Sequence, residues 1–249
     1  MAVKRVLVIA GSDPSGGAGI ARDVATLAAI GVEAAPVITA ITAQTHERFA
    51  GFEAVRPEMV RAQIDAALVS GGIGAVKIGM LATAEIAAQV SEALANCERL
   101  PVVLDPVLAS SSGGTLLDEE GRQVLRERLL PRVFLLTPNL GETAILTGMP
   151  AAPTAAGAKA QAERLHALGC RRVLVKDGHG SGEQSSDLLY VEGEQSVAFS
   201  APRRSGSARG TGCTLSSAIA GQLARGMALE DAIRAARAQV LARLQAVAP

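Results

Sequence analysis

Short apolar runs alternate with amphipathic helical spacing along almost the whole chain, and this alternation restricts the fold more than any other feature. Val6–Ala10, Val32–Thr39, Ala75–Ile78, Val102–Leu104, Val133–Leu136 and Arg172–Lys176 read as strands. Helical spacing lies between them: from the Gly11–Gly19 loop to about Ile30, then over Glu58–Val69, Thr83–Asn96, Asp118–Leu129, Asn139–Leu146 and Thr154–Leu168. An apolar run without polar alternation asks for burial on both faces, which a parallel sheet covered by crossover helices supplies. Leu188–Val191 and Ser196–Phe199 read as an antiparallel pair around the turn Glu192–Glu194. Two Ala-rich helices, Thr211–Ala224 and Leu229–Ala246, close the chain. The expected fold is α/β, with a mostly parallel central sheet and helices on both faces. No repeat or linker divides it, so one domain is expected over 1–249.

Composition narrows the function. Hydrophobic residues make up 49% of the 249, enough for a sizeable core. Lys and Arg number 24 against 24 Asp and Glu, so no net charge favours nucleic acid or an anionic membrane. Aromatics at 2% leave little to stack on bases. Cys97, Cys170 and Cys213 are odd in number and far apart, which argues against a disulfide framework or a zinc site. The run Val6–Ala10 is too short for a signal peptide, and no stretch approaches the roughly 18–20 apolar residues of a membrane span. A cytoplasmic small-molecule protein is expected.

In open parallel sheets, ligands bind beyond the carboxyl ends of the strands. Gly-rich and polar segments sit there: Gly11–Gly19, Asp105, Asn139–Glu142 and Asp177–Gly182. Gly210-Thr-Gly-Cys213 feeds an Ala-rich helix, whose free N–H groups and dipole suit a phosphate. In that first turn the Cys213 thiol is expected to fall below its usual value of about 8.5; the alternative is a buried cysteine at a plain helix start. No Gly-Lys-Ser/Thr follows, so this is no Walker A loop, and Gly11–Gly19 lacks the dinucleotide fingerprint. Asp23 reads as a solvated first-turn acid favoured by the helix dipole. Asn139 and Glu142, three apart, suit a capping box, or the outer shell of a hydrated Mg²⁺ with Asp105 as a further carboxylate. Lys176 ends a strand as either an exposed terminus or a cation for a transferring phosphate.

Taken together, the segments resemble the ribokinase-like superfamily, and within it the bifunctional hydroxymethylpyrimidine/phosphomethylpyrimidine kinases. The resemblance rests on Ala10-Gly-Ser-Asp-Pro-Ser-Gly-Gly-Ala-Gly-Ile20, Gln44, Lys77-Ile-Gly-Met80 and Val103-Leu-Asp-Pro-Val107. It continues through Thr137-Pro-Asn139 with Glu142, Lys176 with Gly178-His179, and Gly210-Thr-Gly-Cys-Thr-Leu-Ser216. It implies a three-layer ribokinase-like fold and ATP-dependent phosphorylation of 4-amino-5-hydroxymethyl-2-methylpyrimidine and then of its monophosphate, in thiamine biosynthesis. It makes Cys213, Lys176, Gly210 and Gly212 catalytic, with Cys213 assisting deprotonation of the attacking hydroxyl. Asp23, Gln44, Met80, Val107 and Gly11 become the pyrimidine site. Asn139, Lys176 and Thr211 would hold ATP, and Glu142 and Asp105 the Mg²⁺. A homodimer is implied.

The chain departs from the family pattern in two places. Ala208-Arg209 stands where Thr-His usually precedes the Gly-Thr-Gly-Cys turn, and Thr45-His46 follows Gln44 in place of Asn-Thr. Arg203, Arg204 and Arg209 make the adjoining loop rich in cation, suited to charge-assisted phosphate contacts. Pyridoxal or pyridoxine kinase activity and a non-catalytic pyrimidine sensor are the alternative readings.

Overall fold

The computed structural model describes residues 4–110, 114–152, 154–176, 183–203 and 209–246. Its strands are β1 (Arg5–Ser12), β2 (Glu33–Gln44), β3 (Phe49–Ala54), β4 (Ile73–Ile78), β5 (Val102–Leu104), β6 (Leu135–Leu136), β7 (Arg172–Val175), β8 (Gln184–Val191) and β9 (Val197–Pro202). Its helices are α1 (Gly19–Ala29), α2 (Pro57–Val69), α3 (Ala84–Ala93), α4 (Glu119–Val124), α5 (Leu140–Thr147), α6 (Ala155–Ala167), α7 (Thr211–Ala224) and α8 (Leu229–Ala246).

The strands form one sheet in the order β3-β2-β1-β4-β5-β6-β7-β8-β9. From β2 to β7 every pairing is parallel, while β3, β8 and β9 attach antiparallel at the two ends. The expected mostly parallel sheet, with helices on both sides, is therefore the observed one.

β1 shows why its run is unbroken by polar residues. Leu7 and Ile9 point into a core with α2, α3, α5 and α6, whereas Val6 and Val8 point into a second core with α1, α7 and α8. Each successive residue faces a different apolar layer, as period-two geometry requires. On the second face α7 packs against β1, β4 and β5. That close approach needs small residues: a Cβ on Gly221 would stand 2.6 Å from Ile30 Cδ1, and one on Gly74 would stand 3.0 Å from the Ala224 carbonyl.

Some boundaries differ from expectation. β2 runs on to Gln44 and pairs with a hairpin strand, β3, that the sequence reading leaves out. β3 lies at the sheet edge with no residue fully buried, and only Phe49 and Phe52 pack against the core. The single helix expected over Asp118–Leu129 is α4 followed by a π-helical turn at Leu125–Leu129 and a 3₁₀ turn containing Pro131. The helix expected over Thr83–Asn96 tightens to 3₁₀ after Ala93. β8 and β9 form the expected antiparallel pair, with β8 reaching back to Gln184.

Candidate active site

The carboxyl ends of β1, β4, β5, β6 and β7 converge with the N-terminus of α7. Lys176 follows β7 directly; its N–H donates to the Pro138 carbonyl at 2.8 Å and it bridges to Asn139. Its Nζ donates to Asp105 Oδ1 at 2.7 Å and lies 4.0 Å from Glu142 Oε2. Burial pulls the Lys176 ammonium down, but Asp105 and then Glu142 more than offset it, so its pKa stands above the ordinary lysine value.

Asn139 caps α5. Its side chain accepts from the Glu142 N–H at 2.8 Å, and Glu142 Oε2 accepts from the Asn139 N–H at 2.8 Å. The capping box is thus present, and it fixes both residues beside Lys176. Burial pushes the Glu142 carboxyl up to about 7; Lys176 pulls it down, and Asp105 pushes it up. A carboxyl raised by folding penalises the native state only when ionised, so its cost is absent below about pH 4.5 and full above about pH 7. Glu142→Gln keeps the capping acceptor and removes the charge. At pH 8 it should be more stable than the parent protein by up to about 3 kcal/mol, a margin that shrinks as pH falls toward 4.5. Urea unfolding at both pH values checks this, and a pH-independent difference would contradict it.

Gly210 caps α7 in the left-handed region at φ +73°, and a Cβ there would lie 2.1 Å from the Gly17 carbonyl oxygen. The loop after β1 and the α7 turn are therefore in backbone contact. Thr211 opens the helix, and Gly212 lets it reach the ion pair: a Cβ there would stand 3.3 Å from Lys176 Nζ and 3.4 Å from Asp105 Oδ2. Gly210→Ala should lower Tm by several degrees, since left-handed strain alone costs about 1–2 kcal/mol and Gly17 must also move. An unchanged thermal melt would show that the two loops are not held in this contact.

Cys213, in the first turn of α7, faces the Gly19 N–H. The expected lowering of its thiol does not occur. Burial pushes it up to about 11; Lys77 pulls it down, while Asp23 and Asp105 push it up. Desolvation outweighs the helix N-terminus here.

Asp23 also differs from expectation. It is fully buried, with Oδ2 taking a 2.8 Å ion pair from Lys77 Nζ and Oδ1 accepting from Ser217 Oγ at 2.7 Å. Both oxygens are used inside the protein rather than offered at a pocket wall. Lys77 appeared in the sequence reading only within a motif, yet it is a fully buried cation close enough to Cys213 to act on its thiol. Asp23 holds it charged against burial, leaving its pKa above the ordinary value. Spacing alone does not reveal a pair 54 positions apart.

The remaining expected contacts lie at adjacent strand ends. Gly11, near the end of β1, packs on Met80, with a Cβ there only 2.8 Å from Met80 Sδ. Val107 packs against the core cluster that contains Met80. Gln44 ends β2 half-buried, and its Oε1 accepts from Arg209 Nη2 at 2.9 Å. Asp13, overlooked as a separate residue, shapes the first loop by accepting from Ser15 Oγ at 2.7 Å and the Ala18 N–H at 2.9 Å. Asp177–Gly182, with Gly178 and His179, and Arg204–Ala208 lie outside the described residues.

Among the described residues no three His, Cys, Asp or Glu side chains are placed to hold a metal ion. Asp105 and Glu142 alone offer two hard oxygen donors beside one lysine, a set that fits Mg²⁺ arriving with phosphates and keeping its waters.

A parallel sheet that gathers a lysine, two carboxylates and a Gly-rich helix N-terminus at its strand ends defines a small-molecule kinase of ribokinase-like architecture. A family model described as phosphomethylpyrimidine kinase matches residues 13–248, and the chain belongs to that family. It is 43% identical to a Rhizobium meliloti hydroxymethylpyrimidine/phosphomethylpyrimidine kinase, covering 96% of this chain and 90% of the relative. The structure of a Clostridium difficile phosphomethylpyrimidine kinase superposes with a TM-score of 0.83 at 34% identity, covering 96% of this chain and 99% of that one. A Bacillus subtilis pyridoxal kinase in complex with ADP gives a TM-score of 0.86 at 32% identity, covering 95% and 90%.

Proposed function

We propose that the protein phosphorylates 4-amino-5-hydroxymethyl-2-methylpyrimidine and then its monophosphate at the expense of ATP, in thiamine biosynthesis. The observation that carries this reading is the meeting of Lys176, Asp105 and Glu142 with the α7 N-terminus in one site. Phosphoryl transfer asks mainly for positioning and for charge to stabilise the transferring group. Lys176 supplies positive charge, and the N–H groups of Gly210, Thr211, Gly212 and Cys213 supply fixed donors for phosphate oxygens. Asn139 and Thr211 border the nucleotide phosphates. Mg²⁺, held by Glu142 and Asp105 through its waters, would neutralise part of the phosphate charge.

The substrate hydroxyl attacks the γ-phosphorus while the bond to the ADP oxygen breaks, and the hydroxyl proton leaves late in a loose transition state. Cys213 sits at the α7 turn where that hydroxyl must arrive. As a thiolate, supported by the Lys77 cation, it takes the proton. Gly11, Met80 and Val107 flank the ring. Gln44 reads its edge, because its amide offers both donor and acceptor. Asp23 acts from beneath, as the buried counter-charge of Lys77.

One domain over 1–249, a homodimer and a cytoplasmic setting belong to the same proposal and rest on the family resemblance. No helix among the described residues is long and apolar enough to cross a membrane. Pyridoxal is the second reading, favoured by the likeness to the Bacillus subtilis pyridoxal kinase. Steady-state kinetics with each compound decide between them. A kcat/KM at least tenfold higher for the hydroxymethylpyrimidine is expected, and a preference for pyridoxal would replace this reading with the second.

A further inference from the structure

We propose that Arg22 of α1 and Arg243 of α8 form, with the Arg209–Gly210 turn between them, a binding site for a phosphate-type dianion. The three arginines come from distant segments, yet the fold gathers them around one turn. Arg22 Cγ lies 3.2 Å from the place a Cβ on Gly210 would take, and its Nη2 donates to the Gly16 carbonyl at 2.6 Å. Arg243 Nη2 donates to the Arg209 carbonyl at 2.9 Å. Arg209 turns its guanidinium toward the end of β2, donating to Gln44 Oε1 and the Thr45 carbonyl.

Among the described residues none of the three pairs with a carboxylate. The Nε atoms of Arg22, Arg209 and Arg243 are all buried without an acceptor. A buried donor left unpaired calls for a physical reason, and a bound ion is one. Burial lowers the Arg243 pKa, and the charge of Arg22 lowers it further, so the two cations destabilise each other where they stand. An anion between them removes the repulsion and supplies the missing acceptor.

Two guanidinium groups match a tetrahedral dianion, which presents several oxygens to planar forks. The same turn carries Arg209's hold on Gln44, so filling the site is felt at the substrate end of β2. The phosphate group could come from a phosphorylated substrate or from free phosphate. Naming the substrate as a source rests on the proposed kinase activity; the site itself does not.

The test titrates inorganic phosphate into the full chain at constant ionic strength and follows Tm. The parent protein should show a saturable rise of roughly 2–6 °C. Arg22→Gln and Arg243→Gln should each lose most of it, and two single variants keep the test decisive if one does not fold. Lys176→Met should retain it, which separates this site from phosphate bound at the α7 N-terminus. If the parent does not respond, or if the arginine variants respond as the parent does, the site does not exist. A tenfold higher KM for the pyrimidine monophosphate in Arg243→Gln, with the KM for the unphosphorylated pyrimidine unchanged, assigns the site to the substrate phosphate. Unchanged KM values with the thermal response lost assign it to free phosphate. The melting readout needs no turnover, so an inactive enzyme would sink the proposed function without deciding this one.

Discussion

Cys213→Ala should lower kcat by about 10²–10⁴-fold while leaving pyrimidine binding nearly unchanged. In the substrate-free protein the thiol is pushed up to about 11, so only a small fraction is thiolate at pH 7. If the thiolate takes the proton from the attacking hydroxyl, the active form is the deprotonated one, and kcat must rise with pH. A log kcat that climbs through neutrality toward pH 10 is therefore expected for the parent protein, and a flat one for the alanine variant. Calorimetric titration of the pyrimidine separates chemistry from binding. Parent-like turnover in the variant would remove Cys213 from the mechanism; a large loss with a flat parent profile would leave it positioning the hydroxyl without accepting its proton.

Lys176→Met is the second large effect, expected to cost about 10²–10³-fold in kcat, the range for losing one electrostatic donor at a reacting oxyanion. This variant needs care, because Lys176 also neutralises Asp105, which is buried. Breaking one side of a buried pair costs about 3–5 kcal/mol, so the single variant should also be less stable. Lys176→Met combined with Asp105→Asn removes the stranded carboxylate, and much of the lost stability should return. Activity should not return. Recovery of turnover together with stability would mean that Lys176 serves the fold rather than the phosphate.

These two residues also show what a linear reading can and cannot see. Lys176 was legible because it ends an apolar run, and the ends of parallel strands are where such sheets bind ligands. β1 and β5 were legible because burial on both faces fills the middle of the run with apolar residues, and β4 was legible although Lys77 interrupts its run. The capping box was legible from two residues three apart, since its partners are local. β3 was not, because an edge strand with exposed faces has no pattern of its own. Asp23 reads from sequence as a solvated helix acid and Lys77 only as part of a motif, so neither shows its partner. Their partnership depends on α1, which packs over β1 and β2, reaching a side chain of the neighbouring strand β4, a tertiary fact. The lowered Cys213 thiol failed similarly: its place in the helix is local, but its desolvation comes from the groups packed around it.

Asn139 and Glu142 belong to both accounts at once. Their mutual bonds fully explain their identities as a helix cap, and the same bonds hold Glu142 beside Lys176 and Asp105. A structural role and a place in the proposed phosphate site are not competing explanations there.

The central claim is that this site carries out two successive phosphorylations of one hydroxymethylpyrimidine. The most direct measurement follows the products by mass over time, with purified protein, ATP, Mg²⁺ and the hydroxymethylpyrimidine. The account predicts a monophosphate that rises and then falls as the pyrophosphate ester accumulates, with ADP formed at each step. ATP consumption that yields neither ester, while pyridoxal is phosphorylated under the same conditions, would contradict it.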